Sequence, residues 1–336
     1  MNAARRPAVA VLGSGSWGTA LAILLARNGV EVKLWGHLDE EIDKLLEEGE
    51  NSTFLPGYPF PPGLTATTDL SAATATADEV VVVVPSHAFR TVLTRVEPLL
   101  ASDTGVSWAT KGLDPKSGRL LHEVAAEVLG NRPVAVISGP SFAGEVAAGQ
   151  PTAVTVASSS PEHARQIAQL LHSETFRTYT SSDVIGLEVG GAAKNVMAIG
   201  AGIADGLGFG ANARAALITR GLAEITRLGL ILGGKPETFM GLGGMGDLVL
   251  TCTDNQSRNR RMGLALARGL TIDQAKAEIG QEVEGVGTTH EIHLKAEQLG
   301  VEMPITEQIY RVLYQGLNPM DAVLTLLGRK IRPEAG

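Results

Sequence analysis

Three glycines near the amino terminus constrain this chain more than any other feature. In 8-AVAVLGSGSWGTALA-22 they stand as Gly13-x-Gly15-x-x-Gly18. The apolar run at 8–12 reads as a strand, and 17–28 reads as a helix that Gly29 is placed to stop. A strand, a glycine turn and a helix in that order form a dinucleotide-binding fingerprint. Gly13 permits the tight turn, Gly15 lets the backbone reach a pyrophosphate, and Gly18 lets the helix lie close to the strand. The helix start then offers free N–H groups and the positive end of its dipole to phosphate. The chain has 40 glycines, so the spacing alone is weak, and its place between strand and helix carries the reading. A merely structural glycine-rich turn is the alternative.

The rest of the first half alternates in the same way. Strand patterns fall at 30–35, 79–84, 106–109, 134–137, 152–157 and 176–179, and the second of these holds five consecutive valines. Helical patterns at 39–48, 119–129 and 161–171 lie between strands. The stretch 51-NSTFLPGYPFPPGL-64, with four prolines, reads as loop. Beyond about residue 183 strand runs thin out, and Ala/Leu/Gly segments at 187–204, 211–232, 258–269, 272–279, 287–299, 304–315 and 318–328 read as helices. The expectation is an α/β chain: an N-terminal Rossmann-type doubly wound sheet over 1–183 and an all-helical C-terminal domain over 184–336. The 336 residues suit two domains.

Composition narrows the class. The formal charge of −8 argues against non-specific nucleic-acid binding, so an anionic ligand must be drawn by local groups. One cysteine, Cys252, excludes an internal disulfide and reads as a buried thiol rather than a nucleophile. The start, MNAARRPAVAVLGSG, lacks the apolar core and cleavage site of a signal peptide. No run of 18 apolar residues stands out, so no membrane span is expected and the chain reads as soluble and cytoplasmic.

Candidate chemistry sits at strand ends and in two later segments. The second strand closes in 33-KLWGHLDEE-41, where an NAD-specific fold places an Asp or Glu on the ribose 2′-hydroxyl. Gly36 and His37 stand there instead, and Asp39 comes late. Without the acid nothing repels a 2′-phosphate, so NADP(H) should be accepted. His37 reads equally as a phosphate partner or a solvated loop histidine. Further strand ends lead into 85-PSHAF-89, into Lys111, and into 138-SGPSFAGE-145, where Ser141 is placed to cap a helix.

In 241-GLGGMGDLVLTCTDNQSRNRRMG-263, four glycines before Asp247 read as a loop that brings N–H groups and a carboxylate to a small ligand. Ser257, Arg258 and Asn259 suit a phosphate ester, which arginine grips bidentately. A solvated basic helix start is the plain alternative. The pair in 290-HEIH-293 lacks metalloprotease spacing and a third ligand, so no metal is expected. In 189-VGGAAKNVMAIGAG-202 one charge, Lys194, stands among glycines and alanines. Small side chains would let this helix backbone approach a nicotinamide pocket with Lys194 reaching in. The alternative is a lysine snorkelling from a packed helix.

These motifs together identify a family. The segments 12-LGSGSWGTALA-22, 108-WATKGL-113, 138-SGPSFAGE-145, 188-EVGGAAKNVMAIGAGIADGLGFGANARAALITRG-221, 241-GLGGMGDLVLTCTDNQSRNRRMG-263 and 284-EGVGTT-289 closely resemble, in order, those of the bacterial NAD(P)-dependent glycerol-3-phosphate dehydrogenases. The resemblance implies reversible reduction of dihydroxyacetone phosphate to sn-glycerol 3-phosphate with NADP(H) or NAD(H), feeding glycerophospholipid synthesis, without a metal. It implies Lys194 as general acid/base. It implies substrate contacts from Lys111, Gly139, Ser141, Asp247, Ser257, Arg258 and Asn259. Ser16, Trp17, His37, Lys111, Ala143, Arg258 and Glu284 would contact the cofactor, together with the turn glycines. Glu282 is a less secure cofactor contact because the family varies around it, and the family often has Arg where His37 stands. A homodimer is left open.

The chemistry fits: ketone reduction needs a hydride, stabilisation of the forming alkoxide and a proton donor, and one lysine supplies the last two. Desolvation would lower that lysine's pKa, and a close Asp247 would oppose the shift. Two other classes share the architecture: a β-hydroxyacid or 6-phosphogluconate type dehydrogenase, and a protein that senses NAD(P)H without turnover.

Overall fold

In the computed structural model, residues 6–330 and Pro333 are described. Residues 1–5, part of the start read as lacking a signal peptide, lie outside the described residues, as do 331–332 and 334–336. The chain divides into two units. The first holds residues up to Asp114 and Arg119–Glu188, and the second holds Pro115–Gly118 and residues from Val189 on.

The alternating half forms ten strands: β1 (Ala8–Leu12), β2 (Glu31–Trp35), β3 (Glu50–Asn51), β4 (Leu55–Pro59), β5 (Leu64–Thr67), β6 (Glu79–Val82), β7 (Gly105–Trp108), β8 (Val134–Ser138), β9 (Thr152–Ala157) and β10 (Phe176–Ser181). Eight make one sheet in the order β10-β9-β8-β7-β6-β1-β2-β5. Neighbours are parallel except β8 with β9. From β1 the chain goes to β2 on one side and later to β6 on the other. That reversal is the switch point where such sheets bind ligands.

Side chains alternate across the sheet. Val9, Val11, Val81, Ile137 and Val156 pack on one face with Leu21 and Leu25 of the helix Ser16–Arg27. Ala10, Leu12, Val80, Val82, Val106 and Trp108 pack on the other with Phe89 and Leu93 of the helix Ser86–Val96. Burial on both faces is what the valine run required.

The proline-rich stretch is not all loop. β4 pairs antiparallel with β3, and β5 adds the outer strand of the sheet beyond β2. Prolines are tolerated because a two-stranded ribbon leaves edge positions whose N–H needs no partner.

The second unit carries Ala211–Ile231, Pro236–Met240, a single π-helical turn Leu242–Gly246, Asp247–Thr253, Arg258–Ala267, Ile272–Ile279, Glu284–Leu299, Pro304–Tyr314 and Pro319–Leu327. Among its described residues there is no strand. The unit boundary falls inside the helix Val184–Gly206. At 23 residues and mean hydropathy 1.2, this helix is long and apolar enough to cross a membrane by length and composition, which the sequence reading did not register. Its apolar window is 89% buried inside the protein.

Three glycines of that helix pack closely against other residues of the second unit. A Cβ on Gly190 would lie 2.5 Å from the Gly243 carbonyl oxygen, and one on Gly202 would overlap the Arg260 carbonyl. A Cβ on Gly200 would meet Ile309 Cδ1 at 2.9 Å. The close approach expected toward a nicotinamide pocket is, at these three positions, an approach to neighbouring helices.

Candidate active site

In the first unit the glycine turn has the form a diphosphate needs. Gly13 has φ +127°, and a Cβ there would lie 2.5 Å from the Val83 carbonyl oxygen. A Cβ on Gly18 would overlap the Gly13 carbonyl. Both glycines are thus dictated by the chain's own packing. Gly15 differs: nothing lies within 4 Å of the place its Cβ would occupy. Its φ of −71° is open to any residue, so packing within the chain does not call for glycine there. The helix Ser16–Arg27 starts with no side chain capping its first N–H groups. A bare glycine beside an uncapped helix start is a cradle that a dinucleotide's pyrophosphate fits.

The flanking residues are arranged around that turn. Ser16 Oγ donates to the Phe54 carbonyl at 2.7 Å, and Trp17 packs half-buried on the sheet core. Past β2, a Cβ on Gly36 would come within 2.5 Å of Ser14 Oγ and 2.7 Å of Ile42 Cδ1. A side chain at the position where other folds put an acid would have to push the Ser14 and Ile42 side-chain ends aside. His37 follows, exposed.

At the ends of β7 and β8 stand the other sequence candidates of this unit. Thr110 Oγ1 donates to the Val84 carbonyl at 2.7 Å, which ties the end of β7 to the turn after β6. Lys111 comes next and is half-buried. Gly139 has φ +145°, and a Cβ there would sit 3.0 Å from Val154 Cα. Ser141 caps no helix: its Oγ donates to the Gly139 carbonyl at 3.0 Å, while Phe142 occupies the cap of Ala143–Ala147. Ala143 is the first residue of that short helix.

In the second unit the buried lysine has a partner. Lys194 Nζ donates to Asp247 Oδ1, and both side chains are buried. Asp247 opens the helix Asp247–Thr253. Of the four glycines before it, Gly243, Gly244 and Gly246 lie in the π-helical turn rather than in the expected loop, and Gly241 precedes it in extended backbone. A Cβ on Gly244 would overlap the Phe239 backbone, so glycine there lets the π-turn pack close. Thr251, which sequence reasoning passed over, is buried one turn beyond Asp247, its hydroxyl donating to the Asp247 carbonyl at 2.6 Å. An i, i+4 threonine after the acid was the available signal.

Next to Lys194, Asn195 Oδ1 accepts from Asn259 Nδ2 at 3.0 Å, and Asn259 Oδ1 accepts from Gly285 N at 2.9 Å. These bonds fasten three helices around the lysine. Ser257 caps Arg258–Ala267, its Oγ accepting from Arg260 N at 3.2 Å. Arg258 is half-buried at the first position of that helix.

The neighbouring arginine is not a solvated one. Arg260 is buried, donates to the Cys252 carbonyl at 3.1 Å and pairs with Asp205. Burial pushes the Cys252 thiol up to about 12, which keeps it protonated and inert. Glu282 is exposed, and Glu284 is half-buried at the start of Glu284–Leu299. His293 stacks on Tyr310 with centroids 3.8 Å apart, and His290 lies 5.4 Å from the Tyr314 ring. No cluster of three metal-ligating side chains occurs among the described residues.

Comparison with known proteins shows the family. Residues 8–164 match the family model of the NAD-dependent glycerol-3-phosphate dehydrogenase N-terminus, and 183–324 match that of its C-terminus. A glycerol-3-phosphate dehydrogenase [NAD(P)+] of Pseudoalteromonas translucida is 58% identical over 97% of this chain and 98% of its own length. One from Aeromonas salmonicida is 58% identical over the same shares. The crystal structure of glycerol-3-phosphate dehydrogenase from Coxiella burnetii superposes with a TM-score of 0.94 at 51% identity, covering 96% of this chain and 99% of that one. The chain belongs to the NAD-dependent glycerol-3-phosphate dehydrogenase family.

Proposed function

We propose that this chain is a cytoplasmic enzyme that reversibly reduces dihydroxyacetone phosphate to sn-glycerol 3-phosphate with NADPH or NADH, supplying glycerophospholipid synthesis. The observation that carries the reading is the buried pair of Asp247 with Lys194, whose own helix is otherwise free of charge from Val189 to Ala204. The reduced nicotinamide, when bound, supplies the hydride. Lys194 gives a proton to the C2 oxygen of the ketone as negative charge develops there, and takes it back in the reverse direction. Its ammonium stabilises that charge inside a site of low dielectric. Asp247 holds the ammonium in place. Arg258, with Ser257 and Asn259, takes the substrate phosphate, and Arg258 also meets the cofactor.

Lys111, Gly139 and Ser141 complete the substrate assignments. The cofactor assignments are Gly13, Gly15, Ser16, Trp17, Gly18, His37, Lys111, Ala143, Glu282 and Glu284. Gly36, which stands where an NAD-specific fold has an acid, supports acceptance of NADPH.

The test is NADPH and NADH oxidation with dihydroxyacetone phosphate and with unphosphorylated or carboxylated ketones. Turnover confined to the phosphorylated ketone is expected. Turnover of a hydroxyacid-type ketone instead, or cofactor binding without turnover of any, would overturn the reading.

A further inference from the structure

The geometry points to Asn51 as a positioning residue for the cofactor, acting through the glycine turn. This rests on the dinucleotide reading of that turn. Asn51 lies on the ribbon strand β3, in the segment that sequence reading took for plain loop, and is 2% exposed. Its amide nitrogen donates to the Ser14 carbonyl at 2.8 Å and to Thr19 Oγ1 at 2.8 Å. Its Oδ1 accepts from Phe54 N at 3.0 Å. Phe54 in turn accepts from Ser16 Oγ through its carbonyl, at 2.7 Å.

These bonds have a direction. Both N–H groups of the amide go to the turn and its helix, one before Gly15 and one after it. The single acceptor goes to the ribbon. A flipped amide would set oxygen against the Ser14 carbonyl, so that carbonyl and the Phe54 N–H dictate the orientation.

Ser14 and Thr19 bracket the residues whose N–H groups would face a pyrophosphate. Thr19 Oγ1 also reaches the Ser14 carbonyl, at 3.3 Å. The turn is therefore held from behind by one side chain while Gly15 stays bare in front. Holding Ser14 and Thr19 fixes the N–H groups of residues 15–17 before a ligand arrives, and pre-ordering of this kind adds to affinity without touching the ligand. Asn51 contributes nothing to proton transfer, so its loss should appear in cofactor affinity and not in the chemical step.

Asn51→Asp separates two roles. The carboxylate still accepts from Phe54 N, which keeps the ribbon, but it cannot donate to Ser14 or Thr19. Thr19→Val removes one of the two acceptors together with the Thr19 bond to the Ser14 carbonyl, and leaves the Asn51 bonds to Ser14 and Phe54. Full-length wild type and both variants are titrated with NADPH by fluorescence, without substrate. Amide hydrogen exchange is followed in the cofactor-free proteins.

Asn51→Asp is expected to weaken NADPH about tenfold or more, as loss of two buried hydrogen bonds implies. Exchange should speed up at residues 13–19 and stay near wild type at 55–59. The KM for dihydroxyacetone phosphate and kcat at saturating NADPH should stay close to wild type. Thr19→Val should shift NADPH affinity the same way by a smaller factor. Unchanged NADPH affinity in Asn51→Asp, unchanged exchange at 13–19, or a kcat loss in place of an affinity loss would each overturn the assignment. If wild type itself fails to bind NADPH, the dinucleotide reading fails instead, and this inference falls with it.

Discussion

Lys194 donates to the Asp247 carboxylate inside the helical unit, with both side chains buried. A charge pair taken out of water holds only while both members are present. Asp247→Asn leaves the lysine without its counter-charge and should destabilise the chain by about 3–5 kcal/mol. Pairing it with Lys194→Met should recover most of that loss. Denaturant unfolding of the three proteins measures this, and a single-variant loss below about 1 kcal/mol, the range of an exposed pair, would contradict it.

Arg258 begins a helix next to the capping Ser257, whose neighbour Arg260 is already committed to Cys252 and Asp205. Of the remaining arginines of this segment, Arg258 is the one we propose for the phosphate. Arg258→Ala should raise KM for dihydroxyacetone phosphate by about 10- to 100-fold, the value of a charged hydrogen bond, and weaken NADPH as well. Unchanged affinity for the phosphorylated substrate would remove Arg258 from that role.

Glu79 on β6 is buried in the sheet, with His163 Nε2 3.8 Å from its carboxylate. Burial raises its pKa from 4.5 to about 8, and burial lowers that of His163. The folded chain therefore holds a proton on Glu79 at neutral pH, while the unfolded chain does not. The stability linked to that proton is complete below about pH 4.5 and is lost as pH rises to about 8, with a total on the order of a few kcal/mol. Glu79→Gln cannot ionise, so its melting temperature should gain on wild type as pH rises through that window. Parallel melting curves against pH would contradict the buried, protonated state.

Gly202 lies where the helix Val184–Gly206 touches the Arg260 carbonyl. Helix propensity alone would make Gly202→Ala stabilising by about 1 kcal/mol. Overlap with backbone that cannot swing aside outweighs this, and the variant should lose about 1–3 kcal/mol. Gly15→Ala, with open space at its Cβ, should leave the melting temperature of the cofactor-free protein near wild type. Stabilisation by Gly202→Ala would show that the helices pack less closely than described.

Much of this was legible in the sequence because the signals are local. The valine run announced a strand buried on both faces, and the strand–glycine–helix order announced the turn. The helix Asp39–Glu48 and the strand Thr152–Ala157 were read with their observed ends. What was missed depends on contacts distant in sequence. β4 was hidden because prolines mask its pairing with the neighbouring β3, and β5 because its partner β2 lies far back, before the helix Asp39–Glu48. The π-turn at Leu242–Gly246 looked like loop because glycine serves close packing and flexibility alike. Asn51 was invisible as a site residue because the groups it donates to, on Ser14 and Thr19, stand more than thirty residues away. Lys194 could be suspected from its lone charge, but its pairing with Asp247, 53 residues on, needed the fold.

The central claim is that Lys194 moves the proton in dihydroxyacetone phosphate reduction. The direct measurement is kcat/KM for NADPH-dependent reduction in wild type and Lys194→Ala, with circular dichroism and NADPH titration on both. A loss of roughly 2–4 decades is expected, with native circular dichroism and NADPH affinity retained at a stability lowered by the unpaired Asp247. Activity of the folded variant within about tenfold of wild type would contradict it, because that falls short of what a general acid contributes.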